Sequence, residues 1–228
     1  GSLTNSTINV KCSGIDTNSH KVTGTINHTL LVNDNTITTA DGSGITAYDG
    51  AIVEANRNTI SGAAEGSGFG IRSSVVTANN NIIGPIGGWN GLWIYGTSDV
   101  SAENNTIQDT GKEPVLIGEY HFNDQGWNVP TPTASRLYFA NNQISNNTGV
   151  CNSQMYGGDF ACPAIHMFMS SATLYDNTVT NNGGDGMRIK GSIVNAQRNT
   201  MEVSGFAANI SHFDDNYGSK YGSIAYFS

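Results

Sequence analysis

The chain has 228 residues, of which 37% are hydrophobic and only 12% charged, with 10 basic against 18 acidic side chains and a net charge of −8. Its 28 Gly and 28 Asn make up about a quarter of the sequence, too much of two poor helix formers for a helical bundle, while the regular recurrence of Val, Ile, Leu and aromatics argues against disorder. No apolar run reaches the ~18 residues of a membrane-spanning helix, and the acidic balance makes nucleic acid a poor partner.

In chain order, Gly1-Ser2 reads as a cloning scar and Cys12 stands alone. A repeating unit then begins. The triplet Asn-x-(Ile/Val/Met) starts at Asn35, Asn58, Asn81, Asn105, Asn142, Asn177 and Asn199, with steps of 23, 23, 24, 37, 35 and 22. Five residues before each Asn stands Leu30, Val53, Val76, Val100, Leu137, Ala172 or Val194, and three before it Val32, Ala55, Ala78, Ala102, Phe139, Leu174 or Ala196. The unit is V-x-A-x-x-N-x-I. About ten residues after each Asn comes a second short segment, of the form Gly-Ile-x-x: Gly44-Ile45, Gly70-Ile71, Gly91-Leu92, Pro114-Val115, Ala164-Ile165, Gly186-Met187 and Ala207-Ala208. Alternating apolar and polar residues between Gly, Asn, Asp and Ser predict strands.

Two steps are too long, by about 14 and 12 residues, and the excess falls in Gln108–Arg136 and Ser145–Pro163. Cys151 and Cys162 close a short loop in the second of these, and pairing them as a disulfide would suit a secreted chain. The sequence stops within the apolar run Ile224-Ala225-Tyr226-Phe227, so residues 1–228 read as one domain cut from a longer extracellular protein.

Short strands at a period near 23 fit a coil whose turns stack, with strands of successive turns paired in parallel ~4.8 Å apart. One such turn buries almost nothing alone, and stability comes from its neighbours. An Asn at one place in every turn serves as a rung: its amide turns inward at a corner and hydrogen-bonds to the next Asn, and Asn tolerates a left-handed corner conformation. These V-x-A-x-x-N-x-I and G-I-x-x units resemble the right-handed parallel β-helix repeats of the pectate-lyase-like superfamily, in the variety called NosD-like or carbohydrate-binding and sugar hydrolase repeats. The resemblance covers roughly residues 3 to 227 and implies an all-β fold. It would be a single-stranded right-handed parallel β-helix of about nine turns with two long loop insertions on one side. It does not single out a function, because that scaffold carries lyases, hydrolases, epimerases, adhesins and tailspikes.

In each G-I-x-x strand the residue after the apolar one points outward, as does the one two further on. This predicts an outer column of Thr46, Arg72, Trp93, Leu116, His166, Arg188 and Asn209 beside a second of Tyr48, Ser74, Tyr95, Gly118, Phe168, Lys190 and Ser211. Aromatic rings and cations on one sheet suit sugars, which stack on rings and whose hydroxyls or carboxylates bond to Arg and Lys. The resemblance also implies that this sheet carries the groove. Arg72, Trp93, Tyr95, Glu119, His121, Phe168 and Asp185 are the candidate saccharide-binding residues. In lyases of the superfamily a Lys, Arg, His or Tyr removes a proton α to a carboxylate that a cation neutralises. Lys190 or His166 would be that base, and Arg188 or Arg72 the neutraliser. Hydrolysis needs opposed carboxylates. Glu119, Asp124, Asp159 and Asp185 lie in loops without the paired-Asp signature of polygalacturonases, and the Asp-Pro-His-Asp motif of mannuronan epimerases is absent. Asp185 and Asp41 also suit turns.

No metal site is assigned. Asp214-Asp215-Asn216 offers oxygen ligands for calcium without loop spacing and reads as a solvated corner, and His20, His28, His121, His166 and His212 show no ligand spacing. No cofactor is required. Glycosylation triplets begin at Asn5, Asn27, Asn104, Asn146 and Asn209. Three functions follow in order: an extracellular or cell-surface module binding a polysaccharide, a lyase or epimerase acting on a uronate polysaccharide, and a spacer or adhesin stalk. The further partners are other domains of the parent chain, and the oligomeric state is left open.

Overall fold

The computed structural model describes residues 1–18, 29–118, 120–122, 128–130, 135–151, 160–211, 213–214 and 220–228. These form a parallel β-helix. Among them there is no helix, and so none long and apolar enough to cross a membrane. Three parallel sheets wrap one core, of nine, eight and eight strands. The first, the V-x-A face, runs from Ser2–Thr4 through strands such as Ile52–Asn56 and Val75–Asn79 to Ile224–Phe227. The second, the N-x-I face, contains strands such as Thr59–Gly62 and Ile82–Ile86. The third, the G-I face, stacks Ile15–Asn18, Ile45–Tyr48, Phe69–Arg72, Leu92–Tyr95, Val115–Ile117, Ile165–Phe168, Met187–Lys190 and Ala208–Ser211 in that order. Each full turn visits the three faces once, giving eight full turns and a last V-x-A strand.

Like residues stack on like. Val53 pairs with Val76 and Val76 with Val100, while Ala55, Ala78 and Ala102 form the next column. The isoleucines of N-x-I, including Ile37, Ile60, Ile83, Ile107 and Ile144, are fully buried. The glycine that opens most G-I strands is there to make room for them. A Cβ on Gly68 would run into Ile83 Cγ2 of the next turn and lie 2.7 Å from Gly91 O, and Gly44 and Gly91 face Ile60 and Ile107 in the same way.

The seven repeated asparagines form a continuous ladder. Asn58 donates from its backbone N and from Nδ2 to Asn81 Oδ1 at 2.9 and 3.0 Å, and also from Nδ2 to Val32 O at 2.8 Å. The same set recurs from Asn35 to Asn58, Asn81 to Asn105, Asn105 to Asn142, Asn142 to Asn177 and Asn177 to Asn199. Ser6 takes the rung position of the first turn, where its backbone N donates to Asn35 Oδ1 at 3.0 Å. The left-handed corner residue is not the rung itself but the one before it: Asn5, Asp34, Arg57, Asn80, Asn104, Asn141, Asp176 and Arg198 have φ between 52° and 60°. Six of these eight are Asn or Asp, the side chains that best tolerate that conformation. Arg57 and Arg198 instead fold onto Asp34 and Asp176 of the preceding turn, at 2.6 and 2.8 Å.

The long steps leave the ladder intact: across the 37-residue step, Asn105 N still lies 2.8 Å from Asn142 Oδ1. The excess leaves the coil at the two edges of the G-I face. One segment follows Val115–Ile117 and contains a hairpin of Tyr120–Phe122 against Asn128–Pro130; the other precedes Ile165–Phe168 and carries the pairing of Val150–Cys151 with Phe160–Ala161. The first turn has an excess too, between Asn18 and Thr29, which the Asn count does not reveal because its rung is a serine.

Replacing Asn81 by Ala removes the acceptor of two N–H groups of Asn58 and the donor to Ala55 O, all buried. The expected loss in urea denaturation is about 3 kcal/mol or more, since each buried polar group left unpaired costs about 1–3 kcal/mol. Asn199→Ala, at the half-exposed last rung, will lose clearly less.

Candidate functional site on the G-I face

Strand pairing assigns the outward residues of this sheet to two columns. The first is Asp16, Thr46, Gly70, Trp93, Leu116, His166, Arg188 and Asn209; the second is Tyr48, Arg72, Tyr95, Gly118, Phe168, Lys190 and Ser211. The sequence expectation of Gly70-Ile71 as the strand opening is corrected to Gly68-Phe69, a slip of two residues. Both dipeptides fit the pattern, but only the Gly68 site lacks space for a Cβ; at Gly70 a Cβ would meet nothing closer than Tyr48 Oη at 3.1 Å. Arg72 therefore moves to the second column and Ser74 leaves it, and Gly70 leaves a gap in the first column.

Four rings cross the face beside that gap. Trp89 to Trp93 is 5.1 Å between centroids, Trp93 to Tyr95 is 4.5 Å and stacked, and Tyr95 to Tyr48 is 6.3 Å edge-on. A cation closes each end of the row, Lys112 Nζ 4.9 Å from the Trp89 ring and the Arg72 guanidinium 4.9 Å from Tyr48. Arg72 is also held by Asp49 at 2.6 Å. Trp93 and Tyr95 sit two residues apart on one strand, which brings them to the same side. Trp89 comes from the corner Gly88-Trp89-Asn90 and belongs to neither column, so the strand pattern did not reveal it. Next to the rings lies a groove of about 260 Å³. Trp89, Trp93 and Tyr48 form its aromatic walls, Ser13, Ser43 and Ser67 its corner side, and Asp16, Thr46 and Glu65 complete its polar lining. Thr46 donates to Asp16 Oδ1 at 2.6 Å.

The second cluster occupies the sixth and seventh turns. Leu116, His166 and Phe168 point away from the coil core yet are at most 7% exposed, so this stretch of sheet is covered at the turns that carry the insertions. His166 Nδ1 lies 3.0 Å from Glu113 Oε1, and its ring is 4.1 Å from Phe168. Burial lowers the His166 pKa to about 4, against the opposing pull of Glu113. Burial, reinforced by the neighbouring Arg188 charge, also lowers Lys190, whose Nζ stands 5.9 Å from the Phe168 ring. Arg188 bonds to Asp185 Oδ2 at 2.9 Å, and Asp185 further accepts from Phe206 N and Asn209 Nδ2. His166, Phe168, Arg188 and Lys190 are thus adjacent, whereas Trp93, Tyr95 and Arg72 belong to the aromatic row. Asp185 serves the corner. Glu119, Asp124, Asp159, His20, His28 and His212 lie outside the described residues, as do the side chains of His121 and Asp214.

Cys151 is bonded to Cys162, with Cα atoms 5.0 Å apart, and Cys12 is a free, exposed thiol. A Glu113 oxygen lies within 4.8 Å of both disulfide sulfurs. That trio has ligand-type atoms, but a disulfide offers no thiolate to a metal, so the contact is one of Glu113 with the disulfide itself. Compared with protein-family models, with curated proteins and with solved structures, the chain finds no match.

The state of His166 sets a pH dependence. In the folded chain it is neutral above about pH 4, whereas an unfolded imidazole takes up its proton below about 6.5. Between those values the unfolded state holds more protons, so stability is complete above pH 6.5 and declines as pH falls toward 4. The decline from this group is roughly 3 kcal/mol over the window. Imidazole NMR shifts of His166 should titrate near pH 4, and His166→Gln should flatten the decline in urea midpoint across pH 6.5 to 4.

Proposed function

We propose that the chain is an extracellular or cell-surface β-helix module that binds saccharide on its G-I face. The observation that carries this reading is the row Trp89, Trp93, Tyr95 and Tyr48 bordering a groove of about 260 Å³ lined with hydroxyls and carboxylates. Apolar walls that bear a few convergent polar groups are the composition of small-ligand sites, and sugar rings present an apolar face to aromatics and hydroxyls at the rim. A disulfide between Cys151 and Cys162 agrees with an oxidising compartment. The stacked V-x-A-x-x-N-x-I turns support placing the chain with the right-handed, pectate-lyase-like β-helices, where such a sheet carries the substrate groove.

A second reading, a lyase or epimerase acting on a uronate polysaccharide, draws on Lys190. Burial makes its ammonium easier to deprotonate, as a general base requires, and Arg188 stands on the same strand. Against it, His166 has no exposed surface and Arg188 is engaged with Asp185.

The test is retention on immobilised polysaccharides followed by titration with the oligomers that retain it. Trp93→Ala and Trp89→Ala should each weaken binding at least about tenfold, or about 1.4 kcal/mol, while Lys190→Ala leaves it unchanged. Unaltered affinity in both tryptophan variants overturns the site. Release of unsaturated oligomers, lost in Lys190→Ala, would establish the second reading instead.

A further inference from the structure

We infer that the groove beside Trp89 and Trp93 takes a positively charged glycan, an oligomer of 2-amino sugars, and rejects uronates; this rests on the saccharide-binding reading above. Three observations converge. First, among the described residues its lining contains two carboxylates, Asp16 and Glu65, and no Lys, Arg or His. Neither carboxylate forms an ion pair among the described residues: Asp16 accepts only the Thr46 hydroxyl, a neutral donor, at 2.6 Å. The nearby cations are otherwise engaged, Arg72 with Asp49 and the Tyr48 ring, Lys112 over Trp89. Second, the walls include the rings of Trp89, Trp93 and Tyr48, and aromatic rings attract cations through the quadrupole, as Lys112 over Trp89 and Arg72 over Tyr48 do. An ammonium in this groove meets negative charge from both carboxylates and rings, whereas a uronate carboxylate meets repulsion from each.

Third, the groove holds an orphaned polar group. Ser67 lines it, is 1% exposed, and its Oγ has no hydrogen-bond partner among the described residues. A buried hydroxyl left unpaired is destabilising, and the equivalent Ser43 one turn earlier has a partner, since its Oγ accepts from Ser67 N at 3.1 Å. Ser67 Oγ is buried behind the groove wall, and a turn about its χ1 would present the unpaired hydroxyl to an amine or hydroxyl placed there. Gly70 faces the same wall: a Cβ there would lie 3.1 Å from Tyr48 Oη and 3.6 Å from Ser43 Oγ and Thr46 Cγ2, three residues that line the groove.

The experiment compares three tetrasaccharides by calorimetry: β-1,4-linked glucosamine, its fully N-acetylated neutral counterpart, and galacturonic acid. Glucosamine should bind about tenfold or more tighter than the acetylated form, the gain of an ammonium near two carboxylates, and galacturonate weakest of all. In an Asp16→Asn, Glu65→Gln double variant the glucosamine advantage should vanish while binding of the acetylated oligomer persists, which also shows that the fold and the aromatic walls are intact. Added salt should erode the glucosamine advantage. Equal affinity for the amine and its acetylated form, an advantage that survives in the double variant, or preference for galacturonate each overturns the charge assignment and leaves the saccharide site standing. If none of the three tetrasaccharides binds, or if Trp89→Ala and Trp93→Ala, which remove two walls of the groove, bind all three as the wild type does, the saccharide reading itself fails.

Discussion

Everything in this molecule depends on the requirement that each turn bury its backbone and side chains against the next, and the asparagine ladder is where that requirement is met most strictly. A rung amide uses one oxygen and three N–H contacts to tie its own turn to the ones before and after. Because Oδ1 accepts two bonds and Nδ2 donates two, no side chain of similar size other than Asn has the right complement. Serine can end the ladder at Ser6, since its hydroxyl is not asked to bridge two turns. The inward columns of Val, Ala and Ile then follow from the same stacking, for a coil repeating at strand spacing has like residues directly above one another.

A constraint held at one corner leaves others free. The V-x-A face flanks the ladder and stays in register through every step, including the 37- and 35-residue ones, and the N-x-I face keeps its first residue pairs throughout, slipping by one residue toward the ends of Ile82–Ile86 and Thr178–Asn182. Apart from one-residue bulges in the N-x-I strands Ile82–Ile86 and Thr178–Asn182, the extra residues enter at the two edges of the G-I face, the side farthest along the chain from the ladder. Variation in loops and in outward side chains therefore accumulates on one sheet, which is the general logic by which a rigid solenoid carries a binding surface. The aromatic row lies on that sheet. Trp93 and Tyr95 stack because one strand places them on the same side, and Trp89 joins them because the corner before that strand is short and made of glycine on either side of Trp89-Asn90.

The repeat made the fold legible: seven Asn positions and their flanking aliphatics define three faces without any structural knowledge. The site was legible only in part, for reasons visible in particular residues. Trp93, Tyr95, Phe168, Arg188 and Lys190 were placed on the G-I face by strict alternation. Arg72 was assigned to the wrong column because Gly68-Phe69 and Gly70-Ile71 are indistinguishable as patterns, and the deciding contact, Ile83 against Gly68, comes from another turn. Trp89, Glu65 and Asp16 were missed because a groove between turns draws on corners that no strand pattern describes. The burial of His166 was equally invisible, since its outward position says nothing of what covers the sheet. Aligning the corners as columns, Ser13, Ser43, Ser67, Asn90 and Glu113, would have been the signal for both the groove and the partner of His166.

The two clusters on this sheet differ in the sign of their charge, and that difference carries functional meaning. Asp16 and Glu65 stand in the first three turns, Arg188 and Lys190 in the seventh. At ~4.8 Å per strand, the third and seventh turns are ~19 Å apart, about two screening lengths at physiological salt. They cannot act together on one sugar ring. A glycan lying along the coil axis would meet carboxylates and rings at one end and guanidinium and ammonium at the other. Among the described residues, the acidic end combines a row of rings, a glycine column position at Gly70 and a hydroxyl at Ser67 without a hydrogen-bond partner. The basic end is covered over His166 and Phe168, and its guanidinium is tied to a corner carboxylate that also accepts from Phe206 N and Asn209. Charge at that end thus ties the later turns together, and on the function proposed above recognition falls to the acidic end, whose carboxylates form no ion pair among the described residues.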